Sequence, residues 1–503
     1  MELASTLAQD YVASLDSRKV TTPTHNRTES DPVKNPELVR RRLTKELTQQ
    51  GLPNDQVIQD LYNDMVPGLI HTASGRYFGF VIGGTLESAI AADWLVSAFD
   101  QNAGAYFASP SSAVIEECAA TWLQELLGLP VSVSYAFVTG CQMAHVTALA
   151  TARHYLLQHR VRWNVEEQGL WDAPKIRVLV GPHHETIVRA IRFLGMGTNS
   201  IQHVATTEAG TMDVQDVRSR LCNDKNVLTI VCLAAGELNQ GLFDPIGTIC
   251  DVAHEYGAWV HVDGAFGLWA AASPKYRHLL HPGLDKADSW STDGHKVLNV
   301  PQDVGIVFTA HPDSHRAAFQ LHPDYAVATP DAVRNQYNYG PEWSRRARGV
   351  VVYAALRSLG RQGVARLFEQ CCELAHNLVE QLGRLESVQV LARPIVNQGL
   401  VRFLDPSVVD KDDDTAAHDA YTDQMIDKIQ STGVVWFGGT KWHGMRVMRI
   451  SVCCHRTTQA DIDLAVQVVQ QVLLEQTSGG LENASDSGTE AHEGVCNAAQ
   501  LLA

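Results

Sequence analysis

The sequence has little positive charge for its length. Its 503 residues carry 40 Lys and Arg against 56 Asp and Glu, a net charge of −16. That balance argues against a nucleic-acid partner, which needs a basic stripe to meet phosphates. The short "RRRL" at 40–43 reads as a solvated helix face. No apolar run reaches the roughly 20 residues of a membrane span. The first residues, "MELASTLAQDYVASLD", lack the basic start and apolar stretch of a secretory signal. There is no CxxC among the ten cysteines, which are scattered apart from the neighbours Cys371–Cys372 and Cys453–Cys454. The expectation is a reduced, cytoplasmic chain with buried thiols. The "NRT" and "NAS" triplets read as chance matches to the glycosylation pattern. What the chain does have is apolar content, 45%, enough for a large core.

Periodicity divides the chain. Residues 1–70 are polar and helix-prone, broken at "TTPTHN" and "GLPND", and read as an N-terminal arm of short helices. Residues 71–315 alternate apolar runs with helical patterns. "SYAFVTG" precedes "ALATARHYLL", "KIRVLVG" precedes "TIVRAIRFLG", and "VLTIVCLAA" precedes "IGTICDVAHEYG". Such alternation predicts an α/β domain, a mostly parallel sheet with helices on both faces. Residues 316–343 carry little apolar periodicity and read as a long active-site loop, a candidate lid. Residues 344–475 restart as a smaller C-terminal α+β domain, and 476–503 read as a disordered tail.

Ligands of a parallel sheet gather at the carboxyl ends of its strands. Asp263 closes the strand of "AWVHVDGAFG". Alone it reads equally well as a helix cap. Lys296, in "STDGHKVLNV", sits between a polar turn and an apolar run. An arbitrary lysine there is most often a surface group. At the rim of a parallel sheet its pKa can be depressed, making it a nucleophile toward a carbonyl. Gly140 ends "SYAFVTG" and opens a helix, whose free N–H groups suit a phosphate. His184, in "GPHHETIVRA", also opens a helix after a strand, although a lone histidine is more often structural. Adjacent His183 and His184 diverge, no HExxH follows, and no metal site is expected. A lysine for an aldehyde, an acid for a ring nitrogen and a helix start for a phosphate are together what pyridoxal 5'-phosphate requires.

With these words in hand, the sequence resembles the group II pyridoxal-phosphate-dependent amino-acid decarboxylases, the family of aromatic-L-amino-acid, glutamate, histidine and diaminobutyrate decarboxylases, and most of all its microbial members. The likeness runs from "MVPGLIHTASGRYFGFV" (65–81) to "MRISVCCHRTTQADID" (448–463). Its strongest words are "AADWLVSAFDQNA", "SPSSAVIEE", "FDPIGTICDVAHEYGAWVHVDGAFG" and "STDGHKVLNVPQDVGIVF". The resemblance implies the type I fold of pyridoxal-phosphate-dependent transferases. It implies that Lys296 forms the internal aldimine, that Asp263 pairs with the ring nitrogen, that Ala265 underlies the ring and that His184 stacks on its other face. Gly140, Cys141 and Gln142 would meet the phosphate, with Asp293 and His295 nearby. Phe80, Gln101 and Asn102 would line the substrate pocket, Arg449 would match an arginine near a substrate carboxylate, and Tyr325 would be the mobile-loop tyrosine. It also implies a homodimer with the active site at the two-fold interface.

The reaction expected is loss of CO2 from an L-amino acid through a quinonoid, with Tyr325 and His184 returning a proton to Cα. The alternatives are an aldehyde synthase, an aminotransferase or a carbon–carbon lyase on the same cofactor, and a non-catalytic relative that merely binds it. Retained Tyr325 argues against the aldehyde synthases, and intact Lys296, Asp263 and His184 against a mere binder. Departures from the family pattern cluster near the cofactor. Gln142 stands where a hydroxyl residue is common, Glu237 and His145 where Asn is common, and Thr72 where aromatic-type enzymes have a tryptophan. These departures leave the reaction class intact and the substrate open.

Overall fold

The computed structural model describes residues 1–21, 35–321, 333–408 and 415–482. The large sheet comprises β1 (Ser134–Val138), β2 (Ile176–Val180), β3 (Ile201–His203), β4 (Leu228–Ala234), β5 (Trp259–Asp263), β6 (Ser289–Asp293) and β7 (Gly305–Thr309). Their spatial order is β1-β7-β6-β5-β4-β2-β3. β7 runs antiparallel to both its neighbours, β1 and β6, and the other neighbouring pairs are parallel. The expected α/β class and the parallel character of the sheet both hold.

The apolar runs behave as covered strands should. Every residue of β1, β2 and β7 is buried, as in a sheet with helices on both faces. β6 differs. Its sequence, "SWSTD", looks like a polar turn, yet all of it is buried. Partners make that burial tolerable. The Ser289 hydroxyl accepts from the Trp259 indole at 2.9 Å, and the Trp290 indole donates to the Leu284 carbonyl at 2.9 Å.

The smaller sheet is antiparallel, in the order β10-β11-β9-β8. It comprises β8 (Val388–Ala392), β9 (Gln398–Phe403), β10 (Gly438–Trp442) and β11 (Met445–Ser451). The helix Arg348–Leu382 connects the two sheets and is broken at Gly360, whose φ of 61° lies in the left-handed region. The last helix, Gln459–Glu482, continues past the boundary at 475 expected from composition. Its apolar stripe of Ile462, Ala465, Val469 and Val472 packs into the second core and carries it onward. At the other end, the helices Glu2–Ala13, Pro36–Leu43 and Asn54–Met65 bury no residue. Among the described residues no helix is long and apolar enough to cross a membrane.

One buried ion pair braces the large domain. The Arg345 guanidinium meets the Glu116 carboxylate at 2.9 Å and also donates to the carbonyls of Ala103 and Phe137 at 3.0 and 2.8 Å. Glu116 is 1% and Arg345 8% exposed. Removing one partner of such a pair leaves a buried charge unmatched. Arg345→Leu is therefore expected to cost about 3–5 kcal/mol of stability. Chemical denaturation followed by tryptophan fluorescence measures it, and an unchanged midpoint would contradict the bracing role.

Candidate active site

The strand ends assemble the site. β5 and β6 are parallel neighbours, so their last residues, Asp263 and Asp293, stand at the same end of the sheet, with Asp263 opposite Ser291 and Asp293 two residues further on. Lys296 follows Asp293 by one turn. The helix Gly140–Val161 starts directly after β1, and His184 caps the helix Glu185–Phe193 after β2. These elements surround a cavity of about 370 Å³. Phe80, Gly140, Cys141, Gln142, His184, Asp263, Ala265, Asp293, His295, Lys296 and Arg449 all line it.

Two expected site residues fall elsewhere. Asn102 is exposed and lies outside the cavity of its own chain. Its side-chain oxygen accepts from the backbone N–H groups of Gly104 and Arg345, so it holds a turn. Gln101, also exposed, donates to the Phe99 carbonyl. Thr72 likewise does not reach the cavity lining. Tyr325 lies outside the described residues.

Lys296 Nζ stands 3.1 Å from Asp293 Oδ2. The other oxygen, Oδ1, accepts from the Cys141 N–H at 2.6 Å, so one carboxylate ties the lysine turn to the helix start. His295 is fixed by the Val304 carbonyl, 2.9 Å from Nδ1. Burial alone would lower the Lys296 pKa. Asp293, the Cys141 thiol and Asp263 outweigh it and raise the amine. The acids facing the lysine thus oppose the depression that a buried position alone can cause. Gly140 has a φ of +74°, and a Cβ at Gly305 would lie 2.2 Å from Gly140 carbon. This approach of β7 to the helix start admits glycine and no larger residue.

The remaining walls are equally specific. The Asp263 carboxylate accepts from the Ala265 N–H at 3.1 Å. Burial pushes the Asp263 carboxyl up, but His145, Lys296 and His261 together hold it well below the usual carboxylate range. Burial lowers His184, whose Nδ1 accepts from the Thr186 N–H at 3.3 Å. Gln142 donates through Nε2 to the Thr186 carbonyl at 3.3 Å, while its Oε1 is buried without a partner. Arg449 reaches in from β11. Burial lowers it, opposed by Glu237 and Tyr77. Glu237 is itself turned to the backbone N–H groups of Asn239 and Gln240, each at 2.9 Å. Phe80 stacks on Trp436, with ring centroids 5.8 Å apart.

The sequence singled out His145 only as a departure and His261 not at all. His145 and His261 lie behind Asp263, both fully buried. The pattern did carry a signal. His261 is two residues before Asp263 on β5, and His145 is one turn after Cys141 on its helix, so each shares a face with a site residue. Cys141, His145 and Asp263 bring their ligand atoms within 4.8 Å of one another.

A strand-end lysine and a strand-end acid facing one cavity beside a helix start define a pyridoxal-phosphate-dependent enzyme of the type I fold. The chain belongs to the pyridoxal-dependent decarboxylase family, whose conserved domain matches residues 36–404. It is similar to an aromatic-L-amino-acid decarboxylase of Bacillus atrophaeus, 24% identical over 88% of this chain and 90% of that protein. A phenylacetaldehyde synthase of Petunia hybrida is 25% identical over 84% and 85% of the two chains. Among solved structures, Oryza sativa TDC with PLP and tryptamine superposes with a TM-score of 0.84, at 21% identity, over 94% of this chain and 96% of that one. The protein is thus a pyridoxal-phosphate-dependent carboxy-lyase by family. The residues present fit the cofactor: the cavity offers an amine, a carboxylate held below the usual range and the positive start of a helix, with an unpartnered polar atom at Gln142.

Proposed function

We propose that this chain decarboxylates an L-amino acid to the corresponding amine and CO2. The observation that carries this reading is the convergence of Lys296 and Asp263, from adjacent strand ends, on one cavity. When bound, the cofactor draws into its ring the electron pair left by departing CO2. Lys296 holds the cofactor aldehyde. Asp263 places a negative charge at the ring nitrogen, so that nitrogen keeps its proton. Ala265 and His184 take the two ring faces. The helix start at Gly140, Cys141 and Gln142 receives the phosphate, with His295 beside it. Lys296, beside the Asp293 carboxylate, must give up its proton to react.

Arg449 is assigned to the substrate carboxylate. A guanidinium suits this group because it presents paired donors. Glu237, near Arg449, offsets that positive charge and disfavours a second carboxylate on the substrate. Phe80 forms the apolar wall. Asn102, held in its own turn, is given no substrate role within its chain. Tyr325 is assigned by resemblance to return a proton to the substrate Cα. The aldehyde-synthase reading stays as the second one, because such an enzyme is among the relatives.

The reading includes a homodimer and a cytoplasmic setting. The N-terminal helices bury nothing within the chain, and Leu95, Phe99 and Phe107 are exposed. Large exposed apolar groups, on a chain whose N-terminal helices bury no residue, suit a second copy. The described cysteines are free thiols, most of them buried, which suits a reducing compartment.

Four measurements test this. Borohydride reduction of the yellow holoenzyme should fix the cofactor to a peptide containing Lys296, and Lys296→Ala should give no such adduct. Labelling of any other peptide overturns the assignment. Against a panel of L-amino acids, CO2 and amine should appear in equal amounts, and aldehyde with peroxide as the main product would favour the synthase. In Tyr325→Phe the amine rate should fall about 10²–10⁴-fold, while an unchanged rate removes Tyr325 from the role. Light scattering should give twice the 55.1 kDa chain mass, and an active monomer would refute the dimer.

A further inference from the structure

Behind Asp263 a line of side chains runs into the core. His145 Nε2 stands 3.5 Å from Asp263 Oδ2, which is ion-pair distance and longer than a normal hydrogen bond. His145 Nδ1 lies 3.0 Å from His261 Nε2. His261 Nδ1 lies 2.9 Å from the Ser289 hydroxyl, which also accepts from the Trp259 indole at 2.9 Å. His145, His261 and Ser289 are all fully buried.

We propose that His145 is a positioning residue that keeps Asp263 ionised, and that His261 and Ser289 fix its protons so that one points at that carboxylate. The proposal rests on the reading that Asp263 meets the cofactor's ring nitrogen.

The proton count along the line closes in the direction the proposal needs. An indole N–H can only donate, so Ser289 Oγ is an acceptor for Trp259 and has a lone pair left for His261. Burial, with the neighbouring His145, pushes His261 down to about 3, so it is neutral and carries one N–H. Spent on Ser289, that proton leaves His261 Nε2 as an acceptor, and His145 Nδ1–H donates to it. Ser291 Oγ, 3.2 Å from the same Nδ1, can turn its own proton to the Val262 carbonyl at 3.4 Å. His145 Nε2 then has Asp263 and nothing else, since no hydrogen bond reaches it.

The bland alternative is a pair of satisfied core histidines. It leaves His145 Nε2 buried and unmatched, a state that is costly in a protein interior. A packing role alone is filled as well by leucine. A donor role is not. Asp263 is largely buried beside the cavity, and burial favours its neutral acid. An acid that takes up a proton itself cannot leave that proton on a ring nitrogen. An N–H behind it, on the side away from the cavity, opposes this and leaves the other oxygen to face Ala265 N–H and the cavity.

The test loads holoenzyme with pyridoxal phosphate labelled with ¹⁵N in the ring and reads the ring-nitrogen signal and the cofactor dissociation constant. Wild type should show a protonated ring nitrogen. His145→Leu should move the signal toward that of Asp263→Asn and raise the dissociation constant roughly tenfold or more. His145→Gln keeps an N–H but no charge, and should fall between. It also serves if the leucine variant fails to fold, as judged by circular dichroism. If Asp263→Asn shifts the signal while both His145 variants match wild type, the role of His145 is overturned and the reading of Asp263 stands. If Asp263→Asn itself leaves the signal unchanged, the reading of Asp263 fails, and the proposal with it.

Discussion

The Asp293 carboxylate is the contact on which the rest of the site depends. One oxygen takes the first free N–H of the helix at Cys141, and the other takes the Lys296 amine. The helix end is positive and the amine is positive, so a buried acid between them is electrostatically satisfied on both sides. That arrangement sets the distance between the end of β6, the lysine turn and the start of the helix after β1. The glycine contact between β7 and the helix allows those elements to come so close. Asp263, one strand over, then faces the same cavity without further adjustment.

Much of this was legible in the sequence. Asp263, Gly140 and His184 announced themselves by position, each at the end of an apolar run and the start of a turn or helix. Lys296 did so through the words around it. The charge state of Lys296 was not legible, because the acids that set it come from two strands and no local pattern pairs them. β6 was hard to read because its buried face is made of hydroxyls and a carboxylate. Only its neighbours, Trp259 and the helix start, make those groups acceptable inside. The local role of Asn102 was hidden for a related reason. A family word locates a residue along the chain, and the turn it holds here was visible only in three dimensions. His145 stood out as a departure, but its partner His261 is distant in sequence, and the link between them exists only across the β5 face.

The small domain contributes to the site as well as to stability. Arg449 comes from β11, and Trp436 from the segment before β10 holds Tyr77 and Phe80 by stacking. Tyr77 and Trp436 also form a parallel backbone bridge. Two cavity-lining residues, Phe80 and Arg449, are therefore held through the small domain. Phe78, between Tyr77 and Phe80 in the chain, is fully buried in the second core.

The helix Arg348–Leu382 has a bearing on how the chain folds. Before Gly360 it packs Val351, Val352 and Ala355 into the first core. Beyond the break it serves both. Val364, Phe368 and Cys372 lie in the first core, while Leu367, Cys371, Leu374 and Leu378 lie in the second. The adjacent cysteines thus belong to different interiors, about 100° apart around the helix. Neither interior can close until this helix is formed, and once formed it commits both. Two sheets that look separable on topology are expected to melt in a single cooperative transition, with the helix as the shared wall.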